Sequence, residues 1–507
     1  MCGIGAVYTK EPLISIQDIM IKMASQQRHR GPDFQGVYTT PDSCIGLSHA
    51  RLSIVDLSSQ ANQPMGNEDD KIWLVCDGKI YNFKELKTEM KAKNHHFSSN
   101  SDSEVIVHLY EEYGIYMVNK LHGMFAFVLY DAKERLLFCA RDRLGKKPLV
   151  YADTSAGVAV ASEIPALRFF PNVDFEVDPV AFGLYLLRNL RHIPDPWTFY
   201  RGVHKLEPGH AMVIQDGKIQ RIWKYWHPSY DVQPSSPQQL LEIFDRAVAL
   251  RMVADVEVGA LLSGGVDSSG IVQAMIAQGV KDVRTYAMGL NANDEELRRA
   301  RKMAEFLGTR HKEFYFEADK QHEQIKNLLD IYGEPIINLP LALTYELCEQ
   351  ISNDGIKVVM AGHGADEIFY GYSGHNSLTL LTMLLPFVPK WLQPLLKKSA
   401  NLFSAGGRFR EALLLAGSPM GQRKAALYKD EARRLWGNLF DFDGIDEAIE
   451  DSIGNWLATW FEDDIPKAYI DEANIIGLMH EDNHSVTIAG DLPAMAAGVE
   501  VRCPFLD

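Results

Sequence analysis

Val258-Gly259-Ala260-Leu261-Leu262-Ser263-Gly264-Gly265-Val266-Asp267-Ser268-Ser269 decides the fold of the second half of this chain. Val258–Leu262 is an apolar run that reads as a strand, and Gly270–Ala277 reads as a helix. A glycine pair at such a junction lets backbone N–H groups approach an anion. The helix N-terminus adds its positive dipole end, and the serine hydroxyls add donors. The stretch therefore reads as a phosphate cradle. It has no lysine, and its spacing differs from the GxxxxGK[ST] loop of the common nucleotide hydrolases.

Outward from this loop, strand, glycine-rich turn and helix repeat. That pattern predicts a parallel sheet with helices on both faces. Upstream, Ser236-Pro237 supplies a helix N-cap and first helical residue. The helix should carry an apolar stripe of Leu240, Leu241, Phe244 and Val248. A Pro/Ser-rich stretch, His227 to Pro237, marks a linker at 227–239. Before it, short apolar runs alternate with turns: Ile72–Cys76, Phe125–Tyr130, Leu136–Ala140 and Val158–Val160. These read as buried strands of a layered α/β domain.

Composition bounds the function. The 507 residues are 46% hydrophobic and 23% charged, enough for two to four domains. With 51 basic and 67 acidic residues the net charge is −16, which argues against nucleic-acid or anionic-membrane partners. The six cysteines form no CxxC pair, so neither a zinc site nor a disulfide framework is indicated. No charged-then-apolar leader opens the chain. Leu378–Val388, the most apolar stretch, is too short to span a membrane and reads as a buried or partner-facing helix. A cytoplasmic enzyme is the expectation.

The chain opens Met1-Cys2-Gly3-Ile4-Gly5-Ala6. Removal of Met1 would leave a cysteine whose thiol and α-amine share one residue. That amine titrates near ~8 and can serve as base toward its own thiol.

Together these motifs resemble a known family. Ser263–Ser269 is similar to the pyrophosphate loop of ATP pyrophosphatases, and Cys2-Gly3-Ile4 resembles the start of class II glutamine amidotransferases. In this order, both resemble the glutamine-hydrolysing asparagine synthetase family. Further matches are His29-Arg30-Gly31-Pro32-Asp33, Ala50–Leu57, Gly123–Phe127, Ala140–Gly145, Gly362 with Gly364–Glu367, and Glu500-Val501-Arg502 with Pro504–Asp507. The resemblance implies an α/β protein. An N-terminal layered αββα N-terminal-nucleophile domain (1–210, glutaminase) would precede a doubly wound parallel-sheet ATP-pyrophosphatase domain (240–507). The family continues past Pro-Phe-Leu-Asp, so the second domain is expected to lack its C-terminal end.

The resemblance also implies roles. Cys2 would attack the glutamine amide and release ammonia. ATP would adenylate a carboxylate, and ammonia would displace AMP. Arg51 would hold the glutamine α-carboxylate by a bidentate ion pair, and Asp102 the α-ammonium. ATP would contact Leu262, Ser263, Gly264, Gly265, Asp267, Ser268, Ser269, Met288, Ala361 and Gly362. Asp267 and Asp366 would bind Mg2+, which favours hard oxygen donors. The substrates would be glutamine or ammonia and aspartate or another carboxylate. A homodimer is left open.

Three departures stand out. Where the family has Asn-Gly-Glu, this chain has Asp77-Gly78-Lys79. The asparagine amide and the glycine N–H donate to the oxyanion; an ionised Asp77 only accepts. Losing one such donor costs about 10²–10³ in rate. Lys79 would repel the α-ammonium that the usual glutamate helps bind. Weak or absent glutamine hydrolysis is the expectation, with a rearranged pocket for another amide donor as the milder one. Second, Ala361-Gly362-His363-Gly364 stands where Ser-Gly-Glu/Asp-Gly is usual. His363 is either the base for incoming ammonium or a neutral pocket wall. Third, Gly333-Glu334-Pro335 and Glu257 also differ from the family and are expected to share the acceptor pocket. A sugar uronate or biosynthetic intermediate therefore stays open as acceptor. So do a bond to another amine, and a nucleotide-binding relative with lapsed glutaminase.

Overall fold

The computed structural model describes residues 2–186, 192–228, 236–336, 340–369, 371, 388–403, 407–419, 422–439 and 490–507. Residues 378–387 of the apolar stretch, and 229–235 of the linker, lie outside these.

In chain order the N-terminal half supplies β1 (Cys2–Thr9), α1 (Ile16–Gln26), β2 (Phe34–Thr39), β3 (Ile45–Arg51), β4 (Met65–Gly66), β5 (Ile72–Ile80), α2 (Phe83–Ala92) and α3 (Glu104–Tyr113). Then come β6 (Gly123–Asp131), β7 (Leu136–Arg141), β8 (Val150–Thr154), β9 (Gly157–Ala161), α4 (Pro179–Tyr185), β10 (His204–Lys205), β11 (His210–Gln215) and β12 (Lys218–Lys224). Among the described residues they form two six-stranded antiparallel sheets, ordered β10-β8-β9-β1-β3-β2 and β12-β11-β7-β6-β5-β4.

Strand alternation sorts the side chains into three layers. Ile4, Ala6, Ile45 and Leu47 of the first sheet meet Val75, Val128, Leu137 and Met212 of the second, all buried. Met20 and Met23 of α1 cover the outer face of the first sheet against Ala152 and Ala159. Phe83, Leu86, Val105 and Leu109 of α2 and α3 cover the second against Phe127 and Phe138. This is the expected αββα sandwich. Its second sheet runs past residue 210, since β11 pairs with β7 and β12. The expected boundary at 210 therefore falls inside the sheet, because Met212 and Ile214 are core residues.

The C-terminal half supplies α5 (Pro237–Met252), β13 (Val258–Leu261), α6 (Val266–Ala277), β14 (Arg284–Gly289), α7 (Glu295–Leu307), β15 (Arg310–Tyr315), α8 (Gln321–Tyr332), α9 (Pro340–Asn353), β16 (Val358–Met360), α10 (Ala365–Phe369) and β17 (Glu500–Arg502). The strands pair in parallel in the order β15-β14-β13-β16-β17. Val248, Ile271 and Met275 pack on one face of the sheet, and Cys348, Ile351 and Ala494 on the other.

Ser236 caps α5 in a capping box with Gln239, and Pro237 opens the helix. Its apolar stripe is buried only at the C-terminal end. Val248 is fully buried, whereas Leu240 and Leu241 are about half exposed. The sheet is narrow, so the start of α5 overhangs it.

The order of strands reverses between β13 and β16. In open α/β sheets ligands sit outside the carboxyl ends of the strands at such a point. The loop Ser263–Ser269 and the turn Ala361–Gly364 both emerge there.

Two interdomain contacts position the sites. Leu52, Ile54, Tyr81 and Met124 of the first domain pack on Val358 and Met495 of the second. Helix 490–496 brings Asp491 to Arg30 and Lys147, at 2.9 and 2.6 Å.

Candidate functional site

Cys2 begins β1 and faces Arg51 across the β1–β3 ladder. It is 8% exposed. Burial pushes its thiol up to about 11, against the pull of the chain's own N-terminal charge. Asp77, on β5, also pushes it up. The backbone N–H of Cys2 donates to Asp77 Oδ1 at 2.8 Å.

Asp77 is fully buried and already paired. Arg30 donates to its Oδ2 at 2.9 Å, to Cys2 O at 2.9 Å, to Glu163 at 3.1 Å and to Asp491 at 2.9 Å. Burial pulls the Arg30 guanidinium down, but Asp491, Asp77 and Glu163 together hold it well above its ordinary value. Asp491 stays below the usual carboxylate range despite burial, because Lys147 and Arg30 flank it. Both Asp77 oxygens thus accept, from the Cys2 N–H and from Arg30, although burial pushes the Asp77 carboxyl up. The sequence reading did not single out Arg30, Lys147, Glu163 or Asp491 as site residues. Arg30 and Asp491 are 461 residues apart, so no local pattern could have paired them.

Gly78 carries φ +141°, and a Cβ there would lie 2.1 Å from Met124 O. Only glycine fits this close approach of β5 to β6. Lys79 is 2% exposed, and its ammonium lies 3.3 Å from Asp102 Oδ1 and 4.6 Å from the Phe83 ring centre. Burial lowers its pKa, and Asp102 opposes that. Asp102 also accepts the Ile80 N–H at 2.7 Å. Lys79, expected to repel a substrate ammonium, itself pairs with Asp102, the residue expected to hold that ammonium.

Arg51 lines the same cavity as Cys2, Lys79, Asp102, Glu500 and Arg502, about 40 Å³ in volume. That holds a water or two, not an amino acid. Arg51 Nη1 donates to Ser58 O at 2.8 Å and Asn62 Oδ1 at 2.6 Å, and Nη2 to Asp56 O. A bidentate grip on a carboxylate needs these bonds exchanged.

At the second site the loop organises itself. Ser263 N–H donates to Ser268 Oγ at 3.2 Å, the two hydroxyls lie 3.0 Å apart, and Gly265 N–H donates to Ser263 Oγ at 3.3 Å. Gly264 has φ +75°, and a Cβ there would lie 2.5 Å from the Arg299 backbone. Val266 is 88% exposed, so the first turn of α6, whose N–H groups lack helical partners, opens to solvent. Ser269 Oγ is buried and makes no hydrogen bond among the described residues. Burial and the Asp366 carboxylate push Asp267 up. Two carboxylates within electrostatic reach of each other at an exposed edge are a donor set suited to a hard divalent cation. Leu262 N–H donates to Tyr286 O at 2.9 Å and Ala361 N–H to Arg502 O at 3.0 Å. Met288, half-buried, sits on β14 next to them.

His363 lies in the turn after β16. A Cβ on Gly490 would come 3.2 Å from its Nδ1, so the ring points at the start of helix 490–496. That nitrogen is buried without a hydrogen bond among the described residues, and burial lowers its pKa. Burial thus favours the neutral ring.

The other departures do not share this pocket. Glu334 binds the first domain, through Lys205 and the Phe199 N–H at 3.0 Å. Glu257 pairs with Arg284 at 3.1 Å and Arg310 at 3.5 Å, at the amino end of the sheet. Sequence adjacency to motifs had grouped residues that the strands hold at opposite ends.

Comparison with known proteins places each half of the chain in a family. The glutamine amidotransferase domain family matches residues 1–226, and the asparagine synthase family matches 239–507. Glutamine-hydrolysing asparagine synthetase 1 of Bacillus subtilis (strain 168) is 29% identical over 532 residues, spanning 100% of this chain and 79% of that protein. Glutamine-hydrolysing asparagine synthetase 2 of Oryza sativa subsp. japonica is 33% identical over 73% of this chain and 60% of its own length. Amidase chry2 of Gibberella zeae is 31% identical over 75% of this chain and 60% of its own length. The chain belongs to the asparagine synthetase family, carbon–nitrogen ligases that join a glutamine amidotransferase domain to an asparagine synthase domain.

Proposed function

We propose that this chain is an ATP-dependent amidotransferase that runs mainly on free ammonia, its glutamine site being largely shut. The carboxylate of the acceptor attacks the α-phosphorus of ATP, and pyrophosphate leaves. Ammonia then attacks the acyl carbon, and AMP leaves with the electron pair. Ser263–Ser269 cradles the phosphates, with the α6 N-terminus and Ser269 Oγ as donors. Asp267 and Asp366 would hold Mg2+, which neutralises phosphate charge when bound. Leu262, Met288, Ala361 and Gly362 border the nucleotide.

One observation carries the claim about glutamine: the Lys79 ammonium lies on Asp102, 3.3 Å away and nearly fully buried. The chain supplies its own occupant for the position that a substrate ammonium needs. Asp77 adds two effects. It offers no donor to an oxyanion. On removal of Met1 the nitrogen it holds becomes the α-amine, and a carboxylate 2.8 Å away favours the ammonium, which has no lone pair for the thiol proton.

Aspartate is the first candidate acceptor, from the names of the relatives. His363, in place of the family's acid, favours a second reading in which another carboxylate is amidated. Pyrophosphate release with ATP, Mg2+ and ammonium, screened over aspartate, glutamate, uronates and small acids, tests both. Release with aspartate supports asparagine formation; release only with another acid names the substrate. Release with none removes the ligase reading.

A further inference from the structure

A second constellation lies on the outer side of the first domain. Asn94-His95-His96 follows α2, Asn67-Glu68 forms the turn between β4 and β5, and α3 carries Glu104, His108, Glu111 and Glu112. Their side chains converge. His108 Nδ1 lies 2.9 Å from Glu111 Oε2 and 3.8 Å from Glu68 Oε2. His95 Nδ1 lies 3.2 Å from the same Glu111 oxygen. One ligand atom each from Glu68, His95 and His108 falls within a 4.8 Å circle.

We propose that Glu68, His95 and His108, with Glu111 beside the two rings, form a binding site for a late first-row divalent cation, zinc being the redox-inert choice. Donor atoms around a tetrahedral ion held at 2.0–2.1 Å stand about 3.3 Å apart. The His108–Glu68 gap of 3.8 Å is close to that spacing, and the Glu68, His95 and His108 atoms all lie within 4.8 Å of one another. Two imidazoles and carboxylates suit zinc or cobalt better than calcium or magnesium.

The outer contacts are those a metal site needs. A ligating imidazole backs its far nitrogen on a carboxylate, which fixes the ring and raises its basicity. His95 Nε2 lies 3.0 Å from Glu112 Oε1, and His108 Nε2 faces Glu104 Oε1 at 3.9 Å. The carboxylates are fixed as well. Asn67 Nδ2 donates to Glu111 Oε1 at 2.9 Å, and the His96 N–H donates to Glu68 Oε1 at 3.0 Å. Lys93 offsets part of the negative charge through Glu112.

The position matters for the glutamine pocket. Glu104 binds the N–H groups of Ser98 and Ser99 at 2.6 and 2.8 Å, four and three residues before Asp102. A cation across His95 and α3 would fasten both ends of this loop.

The test uses the full chain carrying C2A, so that the cavity thiol cannot hold the probe. Zinc is added, the protein dialysed, and bound metal measured; affinity is read by competition with a chelator. One equivalent is expected. H95Q and E68Q, at part-exposed positions, each lose it, while E112Q weakens it about 10–100-fold. Zinc raises the thermal midpoint of the parent and not of H95Q. No stoichiometric zinc on the parent, or equal zinc on H95Q and E68Q, overturns the site.

Discussion

Around Cys2 the chain pairs its own charges. Asp77 has Arg30 and the Cys2 N–H, Asp102 has Lys79, Asp491 has Lys147 and Arg30, and Arg51 is spent on loop oxygens. At the carboxyl edge of the parallel sheet the opposite holds. Asp267 and Asp366 repel each other, and Ser269 Oγ and the first turn of α6 want partners. A site of the first kind gains little from a ligand, which must displace bonds already made. A site of the second kind is relieved by one.

Restoring the family's residues in the first site should reverse the comparison. D77N/K79E returns a donor to the oxyanion position and removes the tethered ammonium. Asp77 also holds the Cys2 thiol up, so its neutralisation favours the thiolate. Glutamate release should rise by about 10² or more. An unchanged rate would show that the barrier lies elsewhere in the pocket.

At the second site G264A is the sharpest cut. The added Cβ meets the Arg299 backbone, so the loop must move. A displacement of about 1 Å in such a cradle costs about 10²-fold. Pyrophosphate release should fall by that much with ammonium as donor, while the thermal midpoint moves little beyond the strain of one turn.

D491A tests the clamp between the sites. It leaves Arg30 and Lys147 buried without one of their carboxylates. Breaking such a pair costs about 3–5 kcal/mol, read as a lower denaturant midpoint. Loss of nothing would mean that Glu163 and Asp77 suffice.

Ligand effects on stability should also differ. ATP with Mg2+ at about a hundred times its Kd adds about 2.7 kcal/mol to unfolding. Glutamine at millimolar concentration should add close to none. Calorimetric scans with each ligand read the contrast.

What was legible in the sequence follows from how local each feature is. The cradle Ser263–Ser269 and the Ser236–Gln239 capping box are made by neighbours in sequence and appear where the pattern puts them. Strands β5, β6, β7 and β9 show in their apolar runs because both faces are covered. The identities of Asp77 and Lys79 signalled a changed pocket. Their partners did not, since Arg30 binds Asp491 across the whole chain, and nothing local marks that pair. Leu240 and Leu241 misled, because helical spacing tells which side chains share a face and not how far the sheet extends beneath them. The histidine–glutamate cluster escaped a search for cysteine pairs because its members come from three separate segments.

The most direct measurement compares nitrogen donors on one preparation. With ATP, Mg2+ and the acceptor acid, pyrophosphate release is followed with ammonium and then with glutamine, and glutamate is measured alongside. The account predicts release with ammonium and little release or glutamate with glutamine. Equal release with glutamine, matched by one glutamate per pyrophosphate, would contradict it.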